Sequence, residues 1–388
     1  MRSLRTTRRK TDSTTVSANF GVLNIQVPVD FIGMHMHRWP SGSPLAPDPT
    51  DLAYGHFRTH DNSSTPVNIN WRAINSVQGQ YDWSGLDTVI NYHEGLGKTI
   101  IYTIYGCPTW AATANGKTHT DPYGSLGGAD KPADITYLSD FITALMLRYN
   151  SGGLHRIKFI EIWNEPNFSL NWNGFFWGSA VDMVWMGNAI YAAAKAIDSS
   201  IIILSPGFSG NDPLVPFLTA IDLVSGKHGY EICDAIAIHP YGHSFLGQYN
   251  GIDIANTGRQ SIAVTRELML ANNAGNKALY ITEWGVVGSL PTVSTPLTPF
   301  DRLSPSVRRN IIRRTLAIAA ILNVKGVSLY SYTNGESGWS GNLITDITGV
   351  RAALADVTLH LCGKTIIGAQ ILSDGSLQFT TTVGTTIF

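Results

Sequence analysis

Short runs of aliphatic and aromatic residues recur along the chain with amphipathic stretches between them. Their spacing predicts eight strands: Val29–Met34, His56–His60, Thr99–Tyr105, Lys158–Trp163, Ile201–Pro206, Ala235–His239, Leu279–Glu283 and Gly326–Tyr332. Several are continuously apolar (IIYTIY, IIILSP, AIAIHP), as expected of strands covered on both faces of a parallel sheet. Helical periodicity fills the gaps. Asp134–Tyr149 carries Ile135, Leu138, Ile142, Leu145 and Leu147 and stops at Asn150-Ser-Gly-Gly. Val181–Ile197 stops at Asp198-Ser-Ser, and Ser306–Leu322 sets arginines against Ile, Leu and Ala. Strand and helix alternating eight times point to one closed α/β barrel, a (β/α)8 TIM barrel over residues 28–362. A doubly wound open sheet is the competing architecture, but no GxGxxG follows the first strand.

The two ends break the pattern. Residues 14–27 and 363–388 are rich in Val, Ile, Thr and Phe with short alternations, and Ser373-Asp-Gly-Ser supplies a turn. They predict a small β-appendage built from both ends. Residues 1–13 hold five cations within ten positions (Arg2, Arg5, Arg8, Arg9, Lys10) and read as a disordered basic arm.

Composition narrows the class of function. Charged residues make up only 14% of the 388, against roughly 25% in an average soluble domain. Gly, Thr and Asn carry the polar share, which suits an extracellular or particle-surface setting. With 27 Lys and Arg against 28 Asp and Glu, the net charge of −1 gives no reason to expect a nucleic-acid or membrane-surface partner. No stretch reaches the roughly 18 apolar residues of a membrane helix. The basic N-terminus also lacks the apolar stretch of about 7–15 residues that a secretory signal needs. Cys107, Cys233 and Cys362 are odd in number and without CxxC spacing, which argues against a disulfide framework or a Cys-rich zinc site.

The chain has seven glutamates, and two of them fall at the C-terminal ends of predicted strands four and seven. These are Glu165 in FIEIWNEPN (159–167) and Glu283 in LYITEWGVV (279–287). Catalytic groups of TIM barrels collect on that face. Two carboxylates in one cleft suit glycosidic hydrolysis, in which one protonates the leaving group while the other attacks the anomeric carbon or activates water.

Trp163-Asn-Glu-Pro166 with Thr282-Glu-Trp284 resembles the retaining (β/α)8-barrel clan of glycoside hydrolases. Arg58, Trp71, Gly79-Gln-Tyr-Asp-Trp83, Asp87, Pro108-Thr-Trp110 and His239-Pro-Tyr241 are similar to family 39 and its exopolysaccharide-hydrolase relatives. The resemblance covers roughly residues 28–360. It implies Glu165 as acid/base, Glu283 as nucleophile, and Asn164 on the sugar 2-hydroxyl. It further implies that Arg58 bonds Glu283, that His239 or Tyr241 lines the same subsite, and that neither metal nor organic cofactor is needed. The clan often carries a Trp near the end of strand eight. Here the stretch is Ser328-Leu-Tyr-Ser-Tyr332, with Ser331 at that place, so Tyr332, Trp339 or Trp110 is expected to supply the sugar platform.

Other residues carry weaker signals. Glu161 shares strand parity with Glu165 and is expected inside the barrel, paired with a cation or hydroxyl. His35 and His37 end strand one, where substrate hydroxyls or rim packing suit them better than a metal. Cys107 lacks a base partner and reads as packing. The stretch NFSLNWNGFFWG (167–178) offers Trp172, Phe175, Phe176 and Trp177. Aromatic faces at a barrel mouth stack on sugars, which predicts an open groove for a carbohydrate chain, although at least half of these rings are expected only to anchor the loop. Two other functions stay open at this level: a transglycosylase using the same carboxylates, and a non-catalytic carbohydrate-binding or particle-surface protein on the same barrel.

Overall fold

The computed structural model describes residues 18–35, 52–60, 69–112, 119–166, 168, 174–240, 262–285, 305–330, 347–372, 374 and 376–388. Twelve strands lie among them. They are β1 (Ala18–Gln26), β2 (Ile32–His35), β3 (His56–Arg58), β4 (Thr99–Thr103), β5 (Phe159–Glu161) and β6 (Ile202–Ser209). The rest are β7 (Ala235–His239), β8 (Ala278–Trp284), β9 (Val324–Leu329), β10 (Thr365–Ile371), β11 (Leu377–Thr381) and β12 (Gly384–Ile387). β2 to β9 form a closed barrel in sequence order, every neighbour parallel, with Ile32 opposite Val327 closing the ring. All eight strands expected from the apolar runs are present, with ends shifted by a few residues.

The lower barrel is filled by Ile101, Phe159, Leu204, Ala235 and Ala237, with Tyr280 packed against them. One layer up, β3, β4, β5, β7 and β8 turn polar residues inward: Arg58, Thr103, Glu161, His239 and Thr282, all buried. A parallel strand alternates faces, so residues two apart share the interior. Pairing between β6 and β7 slips between Leu204 and Gly207. Pro206 has no N–H to give the ladder, and the Ala237 N–H donates to the Ser205 hydroxyl at 2.9 Å in place of a backbone carbonyl. This slip brings the Gly207 backbone into the polar layer.

The helices expected from periodicity appear at Ile135–Tyr149, Ala180–Ile197 and Pro305–Ile321. Asp134 caps the first by accepting the Thr136 N–H, and Ser179 with Asp182 forms a capping box on the second. The arginine face of the third is used in packing. Arg309 holds Asp356 of helix Ile347–His360 at 2.8 Å, and Arg314 donates to the Phe388 carbonyl at 2.9 Å.

The ends do form one antiparallel sheet, in the order β1-β10-β11-β12. Its buried face presents Ile366, Ile371, Leu377, Phe379 and Phe388. The Phe388 ring meets Phe379 at 5.0 Å and His360 at 6.1 Å, which docks the sheet on the helical layer. The basic arm and residues 14–17 lie outside the described residues. Among the described residues, no helix is long and apolar enough to cross a membrane.

Candidate active site

β5 ends at Glu161, yet the chain beyond it stays tied to β6. Asn164 bridges Gly207, the Glu165 N–H donates to the Gly207 carbonyl at 2.8 Å, and the Gly207 N–H donates to the Trp163 carbonyl at 2.9 Å. Trp163 is itself fixed, its indole N–H donating to the Phe175 carbonyl at 3.0 Å. Glu165 is thus held by the sheet. Its φ is +41°, a left-handed conformation unfavourable for a residue with a Cβ. Strain of this kind concentrates at functional positions. Glu283 rises from β8, and one donor atom each of Glu165, His239 and Glu283 lies within 4.8 Å of the others.

Arg58 is the hub beneath them and is fully buried. Its Nε and Nη2 donate to Glu161 Oε2 at 2.8 and 2.6 Å, and its Nη1 donates to Glu283 Oε2 at 3.0 Å. Nη2 also donates to Asn164 Oδ1 at 2.7 Å. Thr103 Oγ1 adds a 2.7 Å bond to Glu161 Oε2. Burial pushes the Glu161 carboxyl up, but Arg58, His239, Thr282 and Thr103 outweigh it and hold the group below its ordinary value. One guanidinium therefore serves two carboxylates, an arrangement that survives burial because each partner is hydrogen-bonded. Asn164 is 1% exposed, and its Nδ2 donates to none of the described residues.

His239 completes the layer. Its Nδ1 lies 2.8 Å from Glu165 Oε1 and 3.8 Å from Glu283 Oε2, and its Nε2 lies 3.1 Å from Thr282 Oγ1. Burial pulls its pKa down to about 4, against the pull of Glu283 and Glu161, so the ring is neutral near pH 7. A metal has little call on this trio. The charge that a cation would supply is already provided by Arg58, and Nδ1 and Glu165 sit at hydrogen-bonding distance.

The structure thus brings together Arg58, Asn164, Glu165, His239 and Glu283 from the sequence expectations. Trp110 is part-buried, its indole N–H donating to the Asn75 carbonyl at 2.7 Å and its ring edge-on to Tyr137 at 5.1 Å. Trp177 stacks on His119 at 4.0 Å, and its backbone N–H donates to Ala129. Phe176 is buried against Trp163, and Phe175 packs on Tyr105 and His60. Among the described rings of this loop, anchoring dominates. His37, Trp172, Tyr241, Ser331, Tyr332 and Trp339 lie outside the described residues, and most of the groove expectation with them. Cys107 is buried, and burial raises its thiol far above the thiolate range, which fits packing. His35 is buried edge-on to Tyr330 at 4.9 Å.

Glu161 was legible as an inward residue with a cation or hydroxyl partner, and it has both. Thr103, Thr282 and Gly207 were not singled out as site residues, since single inward Thr or Gly residues carry no spacing signal. A separate cavity of about 340 Å³ between Lys98, Arg156, Lys158 and Asp198 opens at the opposite end of the barrel. Its cations are engaged, Arg156 with Glu94 and Lys158 with Asp30.

No protein-family model and no curated protein matches the chain. Solved structures do share its fold. A family 39 glycoside hydrolase from Bacteroides cellulosilyticus WH2 superposes with a TM-score of 0.64 at 16% identity, covering 93% of this chain and 69% of that one. A family 39 β-xylosidase from Caulobacter crescentus gives 0.56 at 20% identity, with coverage of 92% and 79%. A family 30 endoxylanase from Clostridium papyrosolvens gives 0.53 at 13% identity, with coverage of 93% and 82%. At these identities the likeness establishes the barrel, and the chemistry has to be argued from the site.

Proposed function

We propose that this chain is a retaining glycoside hydrolase that cleaves β-glycosidic bonds of an oligo- or polysaccharide by double displacement. The observation that carries this reading is that one carboxylate oxygen of Glu165 and one of Glu283 lie within 4.8 Å of each other at the C-terminal end of the barrel. Retaining enzymes hold their carboxyl groups about 5–5.5 Å apart, whereas inverting enzymes leave about 6.5–9.5 Å for a water. An approach this close between two of their oxygens supports the retaining arrangement.

In the first step a Glu283 oxygen bonds to the anomeric carbon as the glycosidic C–O bond breaks. Glu165 gives its proton to the departing oxygen. In the second step water attacks the anomeric carbon, its proton passes to Glu165, and the Glu283 ester bond breaks. The Arg58 guanidinium at 3.0 Å favours the carboxylate form of Glu283. Asn164 keeps Nδ2 for a sugar hydroxyl, a contact that strengthens as charge develops on the ring. The xylosidase and xylanase among the fold neighbours make β-linked xylose the first sugar to try.

Proton NMR of the first product, released from a panel of aryl β-glycosides and β-linked oligosaccharides, tests the reading. Retained anomeric configuration supports double displacement. Inverted product, or no turnover of any member, overturns it.

A further inference from the structure

Glu161 is a glutamate of the polar layer that the proposed reaction does not use. It is fully buried, and its Oε1 has no hydrogen-bond donor among the described residues. Keeping a carboxylate there is costly, and a buried ion pair is by itself weak evidence of stability. Two residues earlier on β5, Phe159 fills the barrel interior with no polar side-chain atom. The charge at Glu161 therefore points to a use other than packing.

That use follows from the shape of Arg58. A guanidinium is a rigid planar fork, so fixing one edge fixes the direction of every N–H. Nε and Nη2 both donate to Glu161 Oε2, at 2.8 and 2.6 Å, which sets the Nε–Nη2 edge against that oxygen. Thr103 Oγ1 donates to the same oxygen at 2.7 Å and holds it in place. The outer end of the fork then presents Nη2 to Asn164 Oδ1 at 2.7 Å and Nη1 to Glu283 Oε2 at 3.0 Å. Arginine only donates, so the Asn164 atom it meets is the oxygen, and the amide orientation is set along with the cation.

Charge follows the same path. Arg58 carries one positive charge, and two carboxylates share it. A cation beside an acid favours the ionised form and lowers its basicity. With Glu161 anionic, the field of Arg58 at Glu283 is partly cancelled. The other groups around Glu283 are Glu165 and His239, whose Nδ1 stands 3.8 Å away and whose ring is neutral near pH 7. Around Glu161 stand Arg58, Thr103, His239 and Thr282. Neither set supplies a second cation at pH 7.

We propose that Glu161 is a positioning residue that acts through Arg58: it fixes the direction of Nη1 and Nη2, and its charge offsets the cation so that Glu283 keeps the basicity a nucleophile needs. No bond is made or broken at Glu161. The inference rests on the nucleophile role proposed for Glu283.

Carbon-13 NMR of the full-length protein, labelled at glutamate Cδ, titrates these carboxyl groups without any substrate over the pH range in which circular dichroism shows the fold intact. The chain has seven glutamates, and Glu283→Gln and Glu161→Asp assign the two signals by their loss. As pH falls, wild-type Glu283 should take up its proton before Glu161. In Glu161→Gln, which keeps the shape and an oxygen acceptor, the Glu283 inflection should move about one pH unit lower. Glu161→Asp keeps the charge and should not lower it. A Glu283 inflection that stays or rises in Glu161→Gln overturns the proposal, as does an equal drop in Glu161→Asp. So does a wild type in which Glu161 protonates first or Glu283 shows no inflection. If Glu161→Gln fails to fold, the order of protonation in the wild type still decides. The acid limb of kcat/KM, measured with the phenyl β-glycoside turned over fastest, should move with the NMR inflection in Glu161→Gln. A limb that stays while the inflection moves counts against Glu283 as nucleophile alone. Absence of wild-type turnover, with the inflection shift observed, counts against the glycosidase reading alone.

Discussion

Gly207 and His239 approach so closely that no side chain fits between them: a Cβ on Gly207 would lie 2.4 Å from His239 Nε2 and 2.7 Å from Glu161 Oε1. Neither neighbour is the free end of a flexible chain, because both are buried and hydrogen-bonded. Gly207→Ala should therefore displace the imidazole. Overpacking of this kind costs about 1–3 kcal/mol. A displacement of about 1 Å at a reacting group costs on the order of 100-fold in rate. Activity should fall more than stability. Gly95→Ala is the control, since nothing lies within 4 Å of its Cβ position at a helix end. Comparing kcat and urea midpoints of the two variants checks this, and equal kcat values would remove Gly207 from the site.

The positions that were readable in the sequence are those with a local signature. Strands such as AIAIHP are apolar on both faces because the barrel buries both, and Glu165 and Glu283 stand at strand ends within distinctive motifs. The β-rich ends were legible from short alternation. Helix Ile347–His360 was not singled out, although Val350, Ala353, Leu354, Val357 and Leu361 are buried at helical spacing. The polar layer was only partly legible. Arg58 reaches Glu161 across 103 residues and Glu283 across 225, and such contacts follow from barrel closure, which no window of sequence contains.

Acid should destabilise the fold through its buried histidines. Burial lowers His239 to about 4 and His93 to about 3, so each binds fewer protons folded than unfolded. The sign follows: their contribution is complete above the unfolded value of about 6.5 and is lost as pH falls toward the folded values. Between pH 7 and pH 5 each ring should cost about 2 kcal/mol. Glu161, held low in the fold, acts in the same direction at lower pH. Urea midpoints at pH 7 and pH 5 measure the loss, and His93→Asn should flatten it. An identical slope in that variant would show that His93 is not the group responsible.

The β-appendage should contribute to the stability of the barrel. Phe388 is 4% exposed and sits between Phe379 and the Arg313 guanidinium, 4.9 Å from its ring centre. Its backbone also pairs with Leu377 in both directions. Phe388→Ala should cost about 3–5 kcal/mol, the range for a buried Phe, and lower the melting temperature with little change in KM. A melt that loses only a separate low-temperature transition would mean the sheet unfolds independently of the barrel.

Removing the two carboxylates should have different consequences, and this separates their roles. In the proposed mechanism Glu283→Ala takes away the group that bonds the anomeric carbon, so no intermediate should form with any leaving group and turnover should fall by several orders of magnitude. Glu165→Ala leaves Glu283 and Arg58 in place, and with a 2,4-dinitrophenyl glycoside the leaving group departs without a proton. The first step then proceeds, while the second slows by about 100- to 10,000-fold for lack of a base. The glycosyl-enzyme should accumulate, visible as a burst of dinitrophenolate and as a mass increase of one glycosyl residue. Azide needs no base and fits the space vacated by the side chain. It should restore turnover of Glu165→Ala and give a β-glycosyl azide, because attack comes from the face opposite the Glu283 ester. It should do nothing for the first step of Glu283→Ala beyond giving an α-azide by direct displacement. The anomeric proton coupling of the azide product therefore reads the roles directly. An α-azide from Glu165→Ala, or a covalent adduct on Glu165, would reverse the assignment.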